Sequence, residues 1–153
     1  MSHEREKTEP DLHQVREEIR HADEAMVREL TGVPDLSDDG WAARAVAARR
    51  IALGERVAAC KFAREPDRFR ALARARDAQG LERAITDLRT EAAVLERVRR
   101  QARERGCAEE LAERMAGFYR ERIIPETKRI QVRLLSEWGR RGSTPHSRLG
   151  SAQ

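Results

Sequence analysis

The sequence predicts an all-α fold, and three observations carry that reading. Ala, Arg, Leu and Glu dominate while aromatic residues make up only 4%, a composition suited to long helices rather than to sheets. Apolar residues return at helical spacing in successive segments, and Gly, Pro, Asp and Ser gather where the stripes stop. At 153 residues with 39% hydrophobic content, the chain can build one domain with its own core.

Residues 1–10 are polar and read as a flexible N-terminus. The first helix starts near Pro10-Asp11, because proline fits an early helical position and an acid suits the positive end of the helix dipole. Leu12, Val15, Ile19, Ala22, Met26, Val27 and Leu30 form its stripe, which stops at Gly32-Val33-Pro34-Asp35. Leu36-Ser37-Asp38-Asp39-Gly40 continues the break. A long Ala-rich helix follows from Trp41 to Ala63, and Pro66 ends it by removing a backbone donor and restraining the residue before it.

Residues 67–78 predict a short, very basic helix with a C-cap at Gln79-Gly80. Another helix runs from Leu81 to Arg105, with Ile85, Leu88, Val94, Leu95 and Val98 as its stripe, and stops at Gly106. The last runs over 108–138, with a kink or a boundary at Pro125. The polar stretch 139–153 reads as a disordered tail. A single domain over 11–138 is the expectation.

The formal net charge is +4, but 31 basic residues are interspersed with 27 acidic ones. Such charges make solvated helix faces linked by i,i+4 pairs, so total basicity is weak evidence for a nucleic-acid partner. Cys60 and Cys107 have no metal-ligand spacing and are too few for a disulfide framework, which predicts reduced thiols in a cytoplasmic protein. No secretory leader or membrane span is expected. His13 and His21 lack partners at ligand spacing, so neither a metal nor a cofactor is anticipated. Trp41 and Trp138 read as anchors of helix ends.

Four blocks bear on function. The first is Val15-Arg16-Glu17-Glu18-Ile19 with Ala22-Asp23-Glu24. The second is Ala47-Ala48-Arg49-Arg50-Ile51-Ala52 with Val57-Ala58 and Lys61. Asp87-Leu88, Glu91 and Val94-Leu95-Glu96-Arg97 make the third, and Ile123-Ile124, Thr127, Gln131 and Leu134-Leu135 the fourth. In this order, over roughly residues 12–135, they resemble the all-helical (AroQ-class) chorismate mutase family. That resemblance implies a long-helix type II chorismate mutase fold and an intertwined helical homodimer. The chain is longer than compact bacterial members near 31–46 and 63–82, and Thr90, beside Arg89, stands where the family usually has arginine.

Rearrangement of chorismate to prephenate is intramolecular and pericyclic, so it needs no nucleophile, metal or cofactor. The protein must hold a dianion in a folded conformation and stabilise charge developing at the breaking ether bond. Arg50 and Lys61 are eleven positions apart, about three helical turns, and so return to nearly one face. The resemblance implies that Arg50 grips a carboxylate, which its planar fork fits, and that Lys61 and Gln131 serve the ether oxygen. Glu91 would accept a hydrogen bond from the ring hydroxyl, Asp87 and Thr127 would line the substrate site, and Arg16 would reach into the partner subunit's site.

Each residue also has an ordinary reading as a solvated surface group, a helix cap or a salt-bridge partner. Two enzymatic alternatives use the same cationic cradle: a relative acting on 4-amino-4-deoxychorismate or on isochorismate, as mutase or pyruvate lyase. A third reading is a non-catalytic regulatory or nucleic-acid-binding module, which requires Arg68, Arg70, Arg74 and Arg76 to form a continuous basic surface.

Overall fold

The computed structural model describes residues 11–32 and 41–141. Among them the chain forms α1 (Leu12–Thr31), α2 (Trp41–Arg64), α3 (Pro66–Arg74), α4 (Ala78–Ile85), α5 (Leu88–Glu104), α6 (Glu109–Phe118), a π-helical turn (Tyr119–Ile123) and α7 (Ile124–Arg141). No strand occurs among the described residues, in agreement with the all-α expectation. The expected flexible N-terminus, residues 33–40 of the first break, residues 142–153 of the expected tail and the side chain of Trp41 lie outside the described residues. Among the described residues no helix is long and apolar enough to cross a membrane.

The helix boundaries have local causes. Asp11 opens α1, its carboxylate accepting the His13 N–H at 3.0 Å. Thr31 closes the helix by donating its hydroxyl to the Val27 carbonyl at 2.6 Å. Pro66 begins α3 rather than merely ending α2, in the position where its missing N–H costs least. The basic helix does not reach Gly80. Arg76 adopts a left-handed conformation, φ 56°, while the N–H groups of Arg76 and Asp77 return to the carbonyls of Ala73 and Leu72, so the chain turns four residues earlier.

Gly80 belongs instead to the first turn of α4, where its N–H donates to the Asp77 carboxylate at 2.8 Å. A Cβ there would lie 2.3 Å from Asp77 Oδ2 and 2.9 Å from Leu72 Cδ2. The glycine permits a close approach and is not a C-cap. The helix expected over 81–105 is likewise two helices. Thr86 is extended, and Asp87 caps α5 by accepting the N–H groups of Arg89 and Thr90 at 3.1 and 3.2 Å.

Pro125 produces a change of helix type. It cannot donate to a carbonyl four residues back, and its ring crowds that carbonyl. The preceding turn widens, so that the Ile124 N–H donates to the Tyr119 carbonyl five residues back. The result is a π-turn of the kind that relieves such a clash without ending the helix.

The chain divides into two compact units. The first gathers the described residues within Met1–Val15, Gly54–Thr86 and Lys128–Gln153; the second comprises those within Arg16–Leu53 and Asp87–Thr127. In the first, α3 and α4 pack together and occupy the region anticipated as the insertion at 63–82. Phe69, Leu81 and Ile85 join Ala58, Ala59, Phe62, Leu135 and Trp138 in one buried cluster. Phe62 stacks on Phe69 at 6.5 Å and meets the edge of Trp138 at 6.1 Å, geometries favoured by the ring quadrupoles. Trp138 thus fills the anchoring role expected of it.

Helix α7 continues through Gly139, Arg140 and Arg141, three residues into the stretch expected to be a tail, because Gly139 is buried against α3. A Cβ at 139 would lie 2.5 Å from the Ala73 Cβ and 3.0 Å from the Phe69 carbonyl oxygen. Gly139→Ala is therefore expected to destabilise the protein by about 1–2 kcal/mol, overpacking outweighing the gain in helix propensity. A lower urea midpoint with an unchanged m-value is the expected observation, and an unchanged or higher midpoint refutes it.

In the second unit α5 and α6 pack together. Gly106, at φ +81°, makes the turn between them. Arg99 meets Glu113 at 2.9 Å, and Arg103 forks onto Glu109 at 2.9 and 2.6 Å. Val94, Val98, Ala102, Ala112, Met115 and Ala116 are buried in this unit.

Candidate functional site

One aspartate organises the centre of the second unit. Asp23, Met26, Val27 and Leu30 of α1 are all buried, and Asp23 is completely so. Burial of a carboxylate demands paired charge and donors. Arg50 from α2 donates through Nε to Oδ1 at 2.9 Å, and Arg97 from α5 donates through Nη2 to Oδ2 at 2.5 Å. The Tyr119 hydroxyl, at the start of the π-turn, donates to Oδ1 at 2.8 Å. Burial first, and then the Asp23 charge beside it, push the Tyr119 hydroxyl far above its ordinary pKa. Tyr119 consequently acts as a fixed donor.

One anion between two guanidinium groups leaves this buried cluster with a formal excess of one positive charge. Arg50 retains only 8% exposure, and its ion pair engages Nε, which leaves the terminal Nη1–Nη2 edge outside that pair. That edge has the geometry of a bidentate carboxylate grip. Arg97 Nε is buried with no hydrogen-bond partner among the described residues.

The other expected site residues are distributed as follows. In the second unit Arg16 is exposed on α1 and Glu91 is half-buried on α5. Asp87 is exposed and caps α5; the Thr90 backbone N–H, foremost among its donors, holds its carboxyl below the usual range. Thr127 spends its hydroxyl proton on the Ile123 carbonyl at 2.7 Å. In the first unit Lys61 is half-buried and donates to the Ile85 carbonyl at 3.2 Å, and Gln131 is buried on α7. Thr127 and Gln131, four residues apart on α7, share a helix face.

The partners of Arg50 were not foreseen from the sequence as site residues. Asp23 did carry a signal: it stands four residues after Ile19 and four before Val27, on the apolar face of an amphipathic helix, where a charged residue is out of place. Arg97 and Tyr119 gave no comparable sign. The basic segment is also less basic than its sequence, since Arg68 meets Glu65 at 3.4 Å and Arg70 meets Asp67 at 3.7 Å. Arg70 lies over the Phe62 ring at 5.7 Å, so part of it covers the core of the first unit.

The family of chorismate mutase type II matches residues 45–132, more than half of the chain. The chain belongs to that family. A chorismate mutase of Emericella nidulans (strain FGSC A4) is 35% identical over 98 residues, covering 58% of this chain and 37% of the relative. A chorismate mutase of Schizosaccharomyces pombe (strain 972) is 33% identical over 93 residues, covering 55% of this chain and 37% of the relative. The chain thus spans little more than a third of the length of these curated relatives. No solved structure matches it. Arg50, Lys61, Asp87, Glu91, Thr127 and Gln131 all fall within the segment matched by the chorismate mutase family, as do Arg97 and Tyr119; Arg16 and Asp23 precede it.

Proposed function

We propose that this chain is a chorismate mutase that converts chorismate to prephenate by an intramolecular Claisen rearrangement, without a cofactor. The observation that carries the reading is the buried, net-cationic cluster around Arg50, whose Arg50, Arg97 and Tyr119 lie inside the segment that matches the chorismate mutase family. A desolvated guanidinium with its terminal edge outside the Asp23 pair suits a carboxylate of a small dianion. Lys61 and Gln131 supply a cation and an amide for the ether oxygen as its bond breaks, and Glu91 accepts from the ring hydroxyl. Asp87 and Thr127 line the substrate site. Arg16, exposed on α1, is donated across a homodimer interface. The setting is aromatic amino acid biosynthesis in the cytoplasm, to which the two free cysteines are suited.

The test is loss of chorismate absorbance with purified protein, with the product identified by NMR and Arg50→Ala run in parallel. Prephenate should form, and the variant should lose about 10²–10³-fold in kcat/KM, the scale of one charged donor removed from a transition state. No chorismate turnover by the folded protein overturns the proposal. Parallel assays on 4-amino-4-deoxychorismate and isochorismate, with pyruvate release monitored, separate the relatives, because Thr90 supplies no cation next to Glu91 and an amine in place of a hydroxyl changes the charge to be matched.

A further inference from the structure

Arg97 lies outside the set of substrate contacts, yet it is the residue that gives the buried cluster its excess positive charge. Without Arg97, Asp23 and Arg50 form a buried pair with no net charge. Asp23 Oδ1 already accepts from both Arg50 Nε and the Tyr119 hydroxyl, and Arg97 draws on Oδ2. The carboxylate is therefore shared among three donors from α2, α5 and the π-turn, which fixes the plane of Arg50 while dividing the negative charge that faces it. The π-turn places Tyr119 for this contact, and the hydroxyl also lies 3.3 Å from Met26 Sδ on α1.

Resting on the proposed reading of Arg50, we infer that Arg97 and Asp23 are positioning residues for anion recognition. Asp23 holds Arg50 by its Nε edge so that the terminal edge faces the substrate carboxylate. Arg97 acts as counter-cation, so that Asp23 orients Arg50 without cancelling its charge. This gives the second guanidinium of the cluster a role in affinity, distinct from the stabilisation that any buried ion-pair partner would supply. Loss of Arg97 leaves Asp23 to neutralise Arg50 alone, so the cluster no longer attracts a second anion across a low-dielectric gap.

The experiment compares Arg97→Met, which keeps most of the stem, with Arg97→Lys, which keeps the charge and loses the fork. Chorismate KM and kcat are measured for each, together with prephenate affinity by isothermal titration calorimetry and the thermal midpoint. Arg97→Met should raise both KM and the prephenate Kd about tenfold, the order expected for one nearby partly buried charge. Arg97→Lys should return both to within about threefold of wild type while remaining less thermostable, since the lost hydrogen-bond geometry is not restored.

A purely structural Arg97 would lower the folded fraction and the thermal midpoint but leave KM and Kd of the folded protein unchanged, and that result overturns the inference. So does Arg97→Lys weakening binding as much as Arg97→Met. Wild-type protein that binds prephenate with the stated Arg97 dependence but turns over no chorismate supports the inference and overturns the proposed activity. Wild-type protein that neither binds nor turns over overturns both.

Discussion

Asp23→Ala is expected to cost about 3–5 kcal/mol of folding stability, the largest loss from any single substitution in the cluster. The reason is asymmetry: the substitution removes one acceptor group but strands three donors, on Arg50, Arg97 and Tyr119. Two guanidinium groups would face each other across the vacated site, Arg50 with a tenth of its side chain exposed and Arg97 with about a fifth. Natural domains hold only about 5–15 kcal/mol in total, so much of the margin would go. The thermal midpoint should fall by roughly 6–20 °C for a chain of this size. Asp23→Asn keeps the shape and one acceptor oxygen and should lose less. A midpoint for Asp23→Ala within about 2 °C of wild type, on the scale of half a kcal/mol, would mean that water compensates the cluster and that it is not a stability element.

The contrast between Asp23 and Gly80 shows what the sequence disclosed. Amphipathic periodicity placed the helices because it reports directly which side of a helix meets a core, and it located α1 and α2 closely. It failed at junctions, where two readings of one residue compete. Gly80 looked like a helix end, but the Asp77 side chain three residues earlier turns the same glycine into the first turn of a new helix. Asp87 fell inside the one helix expected over 81–105, with a cap as its ordinary alternative, and the cap is what it forms. Pro125 marked the right place for a disturbance, yet whether a helix kinks, stops or widens depends on what its turn packs against, which lies far away in sequence.

The candidate site was legible to a similar depth. Family motifs singled out Arg50, Lys61, Glu91 and Gln131 as candidates, and the match to the chorismate mutase family spans all four positions. They could not reveal what holds Arg50. Its bond to Asp23, and Asp23's to Arg97 and Tyr119, join positions 27, 74 and 96 residues apart. A pairing of that range leaves no periodic trace within one helix. Only Asp23 betrayed itself, by interrupting an apolar face, and even there the sequence could not say whether the acid was buried and paired or displaced to an edge.

Lys61→Met should produce the largest loss of activity under the proposed function, about 10²–10³-fold in kcat. The pericyclic step builds negative charge on the ether oxygen that is absent from bound chorismate, so a cation aimed at that oxygen binds the transition state more strongly than the ground state. Its loss should lower kcat and kcat/KM together while KM moves little. Stability provides the internal control. Methionine preserves the aliphatic stem but cannot make the Nζ donation to the Ile85 carbonyl at 3.2 Å, a charged hydrogen bond worth about 1.5–3 kcal/mol. A folded variant with near wild-type kcat would remove Lys61 from the reaction and leave it as a clamp on the end of α4. A variant whose kcat per folded molecule is depressed, with unchanged KM and a modest fall in midpoint, would separate its action on the ether oxygen from that clamp, because a clamp alone changes how much protein is folded and not how steeply the folded protein favours its transition state.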